Sequence, residues 1–284
     1  MQQNNMTNTK SSTSNDHVCP HCNNLVPKMK LEVLGRTRYV QPNCDCEVEE
    51  QMRSVREAEK RIRTRKIESL FKISRMGSKL EHSTFENFIN RDGTSLALAE
   101  SKHFVETFDE NIGIGMMLFG TPGGGKSHLA AAITHELLAR KKSVVFQAVP
   151  ELLERIRSTF NKNSRESEQQ IMKALQQCDL LVLDDIGSER VTGWVYEIFF
   201  RIVDGRYRNE KPIIYTSNLT PKELEKRFSE FEDGDKIVDE QTPRILDRIT
   251  ETSDFIKVNA TSYRKEIARQ RIVDRRKEGV SNDH

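Results

Sequence analysis

The chain has 284 residues, 36% of them hydrophobic and 31% charged. That length accommodates one large α/β domain with a smaller appendage. No apolar stretch approaches the ~18 residues that span a bilayer, so a membrane-embedded protein is excluded and no membrane partner is expected. Net charge is only +2, from 45 basic and 43 acidic side chains, so any attraction to a polyanion must come from local asymmetry.

Residues 1–15 are rich in Asn, Thr, Ser and Gln and read as a disordered tail. They lack the apolar core of a secretory signal, which points to the cytoplasm. Residues 16–50 read as a small zinc-binding module. Its thiols come in two close pairs, Cys19-Pro20-His21-Cys22 and Cys44-Asp45-Cys46. In a cytoplasmic chain such pairs are zinc ligands more readily than disulfides. Zn²⁺ takes four soft ligands in a tetrahedron, which two short Cys hairpins supply. His21 replacing one thiolate is a variant of the same site, and reduced or redox-active thiols are the alternative. A module this short needs such a staple to fold. Between the pairs, Leu31 to Leu34 and Arg38 to Val40 form a hairpin with Gly35 in the turn.

Residues 49–80 read as a long charged helix, most of it a linker at 51–82. From Glu49 to Lys79 there are ten Lys/Arg against five Asp/Glu. Its apolar positions, among them Met52, Val55, Ile62, Ile67, Leu70 and Ile73, are too sparse for deep burial.

The main domain is placed at 83–262. Its most telling feature is Gly120-Thr121-Pro122-Gly123-Gly124-Gly125-Lys126-Ser127, the G-x-x-x-x-G-K-[ST] phosphate-loop pattern. A buried strand, Met116 to Phe119, precedes it, and a helix opening at Lys126-Ser127-His128 follows. Backbone N–H groups of such a loop curl around phosphates, and the helix N-terminus adds partial positive charge. Lys126 reaches the β- and γ-phosphates and Ser127 ligates Mg²⁺. The nucleotide contacts extend from Gly120 through His128.

A βα alternation continues: helix 126–140, strand 143–148, helix 150–160, a mobile connection at 161–170, strand 180–184, helix 192–207, strand 212–216. This order implies a mostly parallel sheet covered by helices on both faces. Cys178 enters the third strand as a small core residue. That strand, Leu180 to Leu183, ends in Asp184-Asp185. The first acid is assigned to the Mg²⁺ shell and the second to polarising the attacking water. The strand Ile213 to Thr216 ends in Ser217-Asn218. Asn218, with Ser217 second, is the candidate sensor of the γ-phosphate or water, provided its strand lies between those of the phosphate loop and the two acids. A helix cap leading into Thr220-Pro221 is the plainer reading. A second mobile connection is expected at 230–241. Arg244 and Arg248 then fall on one helical face. Residues 263–284 read as a basic tail, with seven Lys/Arg against three Asp/Glu from Arg264 to Glu278. Both flanks of the core therefore suit an anionic partner such as DNA.

Thr84-Phe85-Glu86-Asn87-Phe88, Gly120 to Ser127, Asp179 to Gly187, Arg206-Tyr207, Ile214 to Leu219 and Arg244 to Ile249 together resemble the AAA+ ATPases of the DnaC/DnaI-type replicative helicase loader family. IstB-type transposition ATPases are a sister group. The resemblance covers residues 83–260. It implies an AAA+ P-loop core, ATP hydrolysis, and self-association through the ATPase domain. Arg244 matches the arginine finger of loaders and Arg248 a following sensor-type arginine. It also implies a replicative hexameric helicase and single-stranded DNA as partners, with the zinc module gripping the helicase. No run of aromatics marks a stacking platform, so weak, sequence-tolerant DNA binding is expected. A transposition-regulating ATPase and a zinc-containing, ATP-switched transcription regulator remain alternatives.

Overall fold

The computed structural model describes residues 17–33, 35–71, 76–77, 79–161, 164–229 and 242–280. The expected tail at 1–15 and connection at 230–241 lie outside these residues, as do the side chains of 242–244 and of 274–280. The chain divides into two compact units between Arg63 and Thr64.

The first unit begins with β1 (His17–Val18) paired antiparallel to β2 (Leu25–Val26). A second antiparallel pair follows, β3 (Met29–Val33) and β4 (Arg36–Val40), with Gly35 at φ 72° in its turn, as the hairpin pattern implies. Helix α1 (Asp45–Leu70) then begins and runs into the second unit. Among the described residues, the apolar interior of the first unit is Cys19, Val26 and Cys44, with Cys46 packed against them. So small a core cannot offset the conformational entropy of ordering the segment without a cross-link or metal.

In the second unit, α1 reaches Leu70, ten residues short of the sequence-based expectation. Its buried end supplies Ile67, and Phe71 follows into the core. Then come α2 (Ser95–Glu106), β5 (Gly115–Gly120), α3 (Lys126–Ala139), β6 (Val144–Ala148) and α4 (Val149–Ser158). They are followed by α5 (Glu168–Gln177), β7 (Leu180–Asp184), α6 (Gly193–Tyr207) and β8 (Ile213–Ser217). The last elements are α7 (Pro221–Ser229), α8 (Thr242–Glu251), β9 (Ser253–Val258) and α9 (Tyr263–Val280).

β5 to β9 form one parallel sheet in the order β6-β7-β8-β5-β9. Each strand faces two ways, so its alternate residues enter different cores. Met117, Leu181, Leu183 and Tyr215 join one core with α4, α5 and α6. Met116, Leu118, Leu180, Val182 and Ile214 join the other with α2 and α3. The sheet is thus sandwiched by helices, and β8 lies between β5 and β7.

Several elements depart from the sequence reading. The region expected as a mobile connection at 161–170 contains the start of α5. There Ser167 and Gln170 form a reciprocal capping box, and Ile171, Met172, Ala174 and Leu175 are buried. β9 extends the sheet beyond β5, burying Ser253, Ile256 and Val258. The basic segment expected as a tail is helical in α9.

Candidate functional site

The phosphate loop joins the C-terminal end of β5 to the first turn of α3. Crowding forces its glycines: a Cβ on Gly123 would lie 2.4 Å from Ser262 Oγ, and one on Gly125 2.8 Å from Phe88 Cε2. Both have positive φ, 80° and 109°, which other residues adopt only under strain. Lys126 opens α3 with its side chain folded under the loop. Its Nζ donates to Gly120 O and Thr121 O, each at 2.9 Å, and to Asn218 Oδ1 at 2.8 Å.

Parallel pairing brings the tips of β7 and β8 beside this loop. Asn218 donates from Nδ2 to Asp185 Oδ1 at 2.7 Å, so one amide bridges Lys126 and Asp185. The strand order required for Asn218 to stand at this place is the one observed. Asp185 has φ 62°, a costly conformation for a non-glycine residue. It is held there by its N–H, donating to Thr216 Oγ1 at 2.9 Å, and by Ile186 N–H, donating to Thr216 O at 2.9 Å. Thr216 Oγ1 in turn donates to Asp184 Oδ1 at 2.5 Å. Thr216 therefore orients both acids, a role the sequence reading missed although the residue sits two before Asn218. Ser217 points away from the loop and donates to Ile186 O at 2.7 Å.

Charge in the site is poised. Burial pushes Lys126 down to about 8 from the usual 10.5; Asp185 and Asp184 oppose the shift and Arg264 adds to it. Arg264, in the first turn of α9, is thus a second positive charge near the loop that the reading of a basic tail did not single out. Burial raises Asp184, against hydrogen bonds from Thr216 and Ser127. The Ser127 hydroxyl and the Asp184 carboxylate face one another, a pair of hard oxygen ligands suited to Mg²⁺.

Three further candidates are His128, Arg248 and Arg244. His128 Nε2 donates to Thr84 O at 2.8 Å, and its ring meets Phe88 edge-on at 5.2 Å. It therefore anchors the Thr84–Phe88 segment beside the loop. Arg248 lies between the rings of Phe200 and Tyr207, 5.3 Å from each, with Nη1 2.7 Å from Asp204 Oδ1. Among the described residues its guanidinium meets side chains of α6. Arg244 is in α8, and its side chain lies outside the description.

Arg206 is fully buried. It donates to Leu175 O at 2.6 Å, Cys178 O and Sγ at 3.1 Å, and Pro212 O at 2.6 Å. It ties the end of α5 to the starts of β7 and β8, at the end of the sheet opposite the site.

In the first unit, Cys19, Cys22, Cys44 and Cys46 place their sulfurs within 4.8 Å of one another. The separations Cys19–Cys46, Cys22–Cys44 and Cys44–Cys46 are 3.4, 3.5 and 3.5 Å. Four sulfurs about 2.3 Å from one zinc lie about 3.8 Å apart, so the donor set fits. Burial opposes ionisation of Cys19, yet the N–H groups of Cys22 and His21 bring its thiol to about 7. His21 is exposed and outside the cluster. Only the first pair lies in a hairpin turn. Cys44 precedes α1 and Cys46 is in its first turn, where Glu47 caps Cys44 N–H at 3.2 Å. The one-residue spacing follows from that helix start.

The family model described as IstB-like ATP binding protein matches residues 40–271. The replicative helicase loader DnaC of Escherichia coli (strain K12) is 33% identical over 211 residues, spanning 74% of this chain and 80% of that protein. The replicative helicase loader DnaI of Bacillus subtilis (strain 168) is 27% identical over 249 residues, 86% of this chain and 76% of that one. A crystal structure of the DnaC helicase loader superposes with a TM-score of 0.54 at 23% identity, covering 64% of this chain and 99% of its own; it supports the fold. Among the described residues no helix is long and apolar enough to cross a membrane. The chain belongs to the IstB-like ATP-binding proteins, as an AAA+ ATPase of the DnaC/DnaI-type helicase loader family.

Proposed function

We propose that this chain is an ATP-dependent loader that places a replicative hexameric helicase on single-stranded DNA during replication initiation. The observation favouring it over a transposition-regulating ATPase is the four-sulfur unit ahead of a complete phosphate-loop site. Two relatives that carry the loader name span most of both chains. The zinc module is the helicase-gripping part, and residues 83–262 the ATPase. Zinc held by Cys19, Cys22, Cys44 and Cys46 supplies the cross-link the module's small core lacks.

In the ATPase, the loop N–H groups and Lys126 hold the phosphates. Ser127 and Asp184 would hold magnesium, which would supply neutralisation of the phosphate charge. Asp185 accepts the proton of the attacking water, and Asn218 positions that water after releasing its bridge to Lys126. Arg244 of a neighbouring copy stabilises the transition-state charge in trans. Hydrolysis then releases the loader.

Single-stranded DNA has a candidate contact that no sequence run announces. Phe160, exposed after α4, meets Trp194 of α6 edge-on at 6.2 Å, and the Arg157 guanidinium lies 4.8 Å over the indole. Aromatic and guanidinium faces accept bases without sequence preference.

The test is affinity capture of a purified hexameric replicative helicase by the full chain, compared with the Cys44→Ser/Cys46→Ser variant. Capture by the parent and loss in the variant, with ATP binding retained, supports the reading. Failure to capture helicase, alongside ATP-dependent binding of duplex DNA, would favour the transposition ATPase.

A further inference from the structure

Behind the phosphate loop stands a side chain that none of the motifs contains. Arg91 precedes α2, and its side chain is only 16% exposed. Nη1 donates to Thr261 O at 2.7 Å and to the Glu266 carboxylate at 3.3 and 3.4 Å. Nη2 reaches Gly123 O at 3.4 Å and Gly124 O at 3.5 Å. The plane also lies 5.2 Å from the centroid of the Tyr263 ring.

A phosphate-binding loop works only while its N–H groups face inward, and the carbonyls of the same peptides must then face out. In a Gly-Gly-Gly run, nothing in the side chains opposes a peptide flip that would aim a carbonyl at the phosphates. Here the outward carbonyls of Gly123 and Gly124 meet a fixed cation, and Gly123 O also accepts Tyr263 N–H at 3.1 Å. Arg91 is itself clamped. Its N–H donates to Thr94 Oγ1 at 2.8 Å, and Asn259 N–H donates to Gly93 O at 3.2 Å, so its turn is fastened to the chain leaving β9.

We infer that Arg91 is a positioning residue for nucleotide binding: it fixes the orientation of the Gly123 and Gly124 peptides, and it ties that orientation to the first turn of the basic helix α9 through Thr261, Tyr263 and Glu266. The inference rests on the proposed ATP site. A planar fork with five donors can hold both segments at once, which an ammonium on a flexible stem cannot.

The experiment measures dissociation constants for ATP, ADP and adenosine with the full chain and with Arg91→Ala, Arg91→Lys and Glu266→Gln, together with their melting temperatures. Arg91→Ala is expected to weaken ATP and ADP binding about tenfold or more and adenosine binding less than twofold. Arg91→Lys should recover little of the loss. Glu266→Gln, which leaves Arg91 in place and loosens its tether, should weaken ATP binding about threefold. If Arg91→Ala does not fold, the phosphate-selective loss must appear in Glu266→Gln and Arg91→Lys. Full recovery by Arg91→Lys would overturn the inference, as would equal losses for ATP and adenosine. Wild-type affinities in all variants would overturn it and leave the ATP site standing; no ATP binding by the parent chain would instead sink the site itself.

Discussion

Lys126 shows how the site's chemistry can be read from its protonation. Its free-state value of about 8 results first from burial, which disfavours the charged form. Phosphates add negative charge beside it and raise that value on binding. The favourable term is therefore complete below about pH 8 and is lost as pH rises toward the value in the complex. ADP affinity without added magnesium should be flat near pH 7 and fall by up to tenfold per unit above about 8. Calorimetry at pH 8 in two buffers should register proton uptake, and its absence would contradict the poised lysine. Asp185→Asn should leave ATP binding within a few-fold of normal and abolish turnover; a normal rate would remove Asp185 as the base. Trp194 is the only tryptophan of the chain, so its fluorescence reports on its own surroundings. Single-stranded DNA should quench it, and an unchanged spectrum at saturating DNA would exclude the Phe160–Trp194 contact. These side chains differ in how legible they were. Lys126, Asp184 and Asp185 follow from a motif with chemical content. Thr216, Arg91 and Arg264 act through contacts between distant segments, which no local spacing encodes.

At the scale of elements, periodicity and turn chemistry located the strands that end at the site. β5, β7 and β8 are short and apolar, bounded by glycines, by acids, and by Pro212 and Asn218 respectively, so they announce themselves. α5 was obscured by the polar stretch before it, although Ser167-x-x-Gln170 is a capping signature. Removing the Ser167 cap should cost about 1 kcal/mol, measured by denaturant unfolding of Ser167→Ala. β9 was missed because Asp254 and Lys257 break its apolar run, and its partner β5 lies far away in sequence. Arg206 holds three elements through buried carbonyls, so Arg206→Met should destabilise the fold by about 3 kcal/mol or more. A smaller loss would mean that these carbonyls find other partners. The cysteine unit was legible in donor type and number. That its second pair opens a helix was not, because two residues flanking one position do not reveal the backbone between them.

Across the molecule, the proposed account needs more than one copy. Arg248 is engaged within its own chain by Asp204, Phe200 and Tyr207, which leaves Arg244 as the candidate to reach a neighbour. Arg244→Ala should leave ATP binding by isolated chains near normal and lower hydrolysis by the DNA-bound assembly about 10³-fold. Mixing it with Lys126→Ala should recover part of the activity, since each variant retains the half-site the other lacks; no recovery would argue against a finger in trans. The four thiols should hold about one zinc per chain, and elemental analysis showing none in a folded first unit would contradict the zinc-stapled module. The central claim is ATP-dependent loading. Its most direct measurement is the transfer of a purified hexameric replicative helicase onto circular single-stranded DNA, followed by helicase activity with and without this chain. The chain with ATP should raise loading several-fold, and Lys126→Ala should not. Equal loading with and without the chain, in a preparation that binds ATP and carries zinc, would contradict the account.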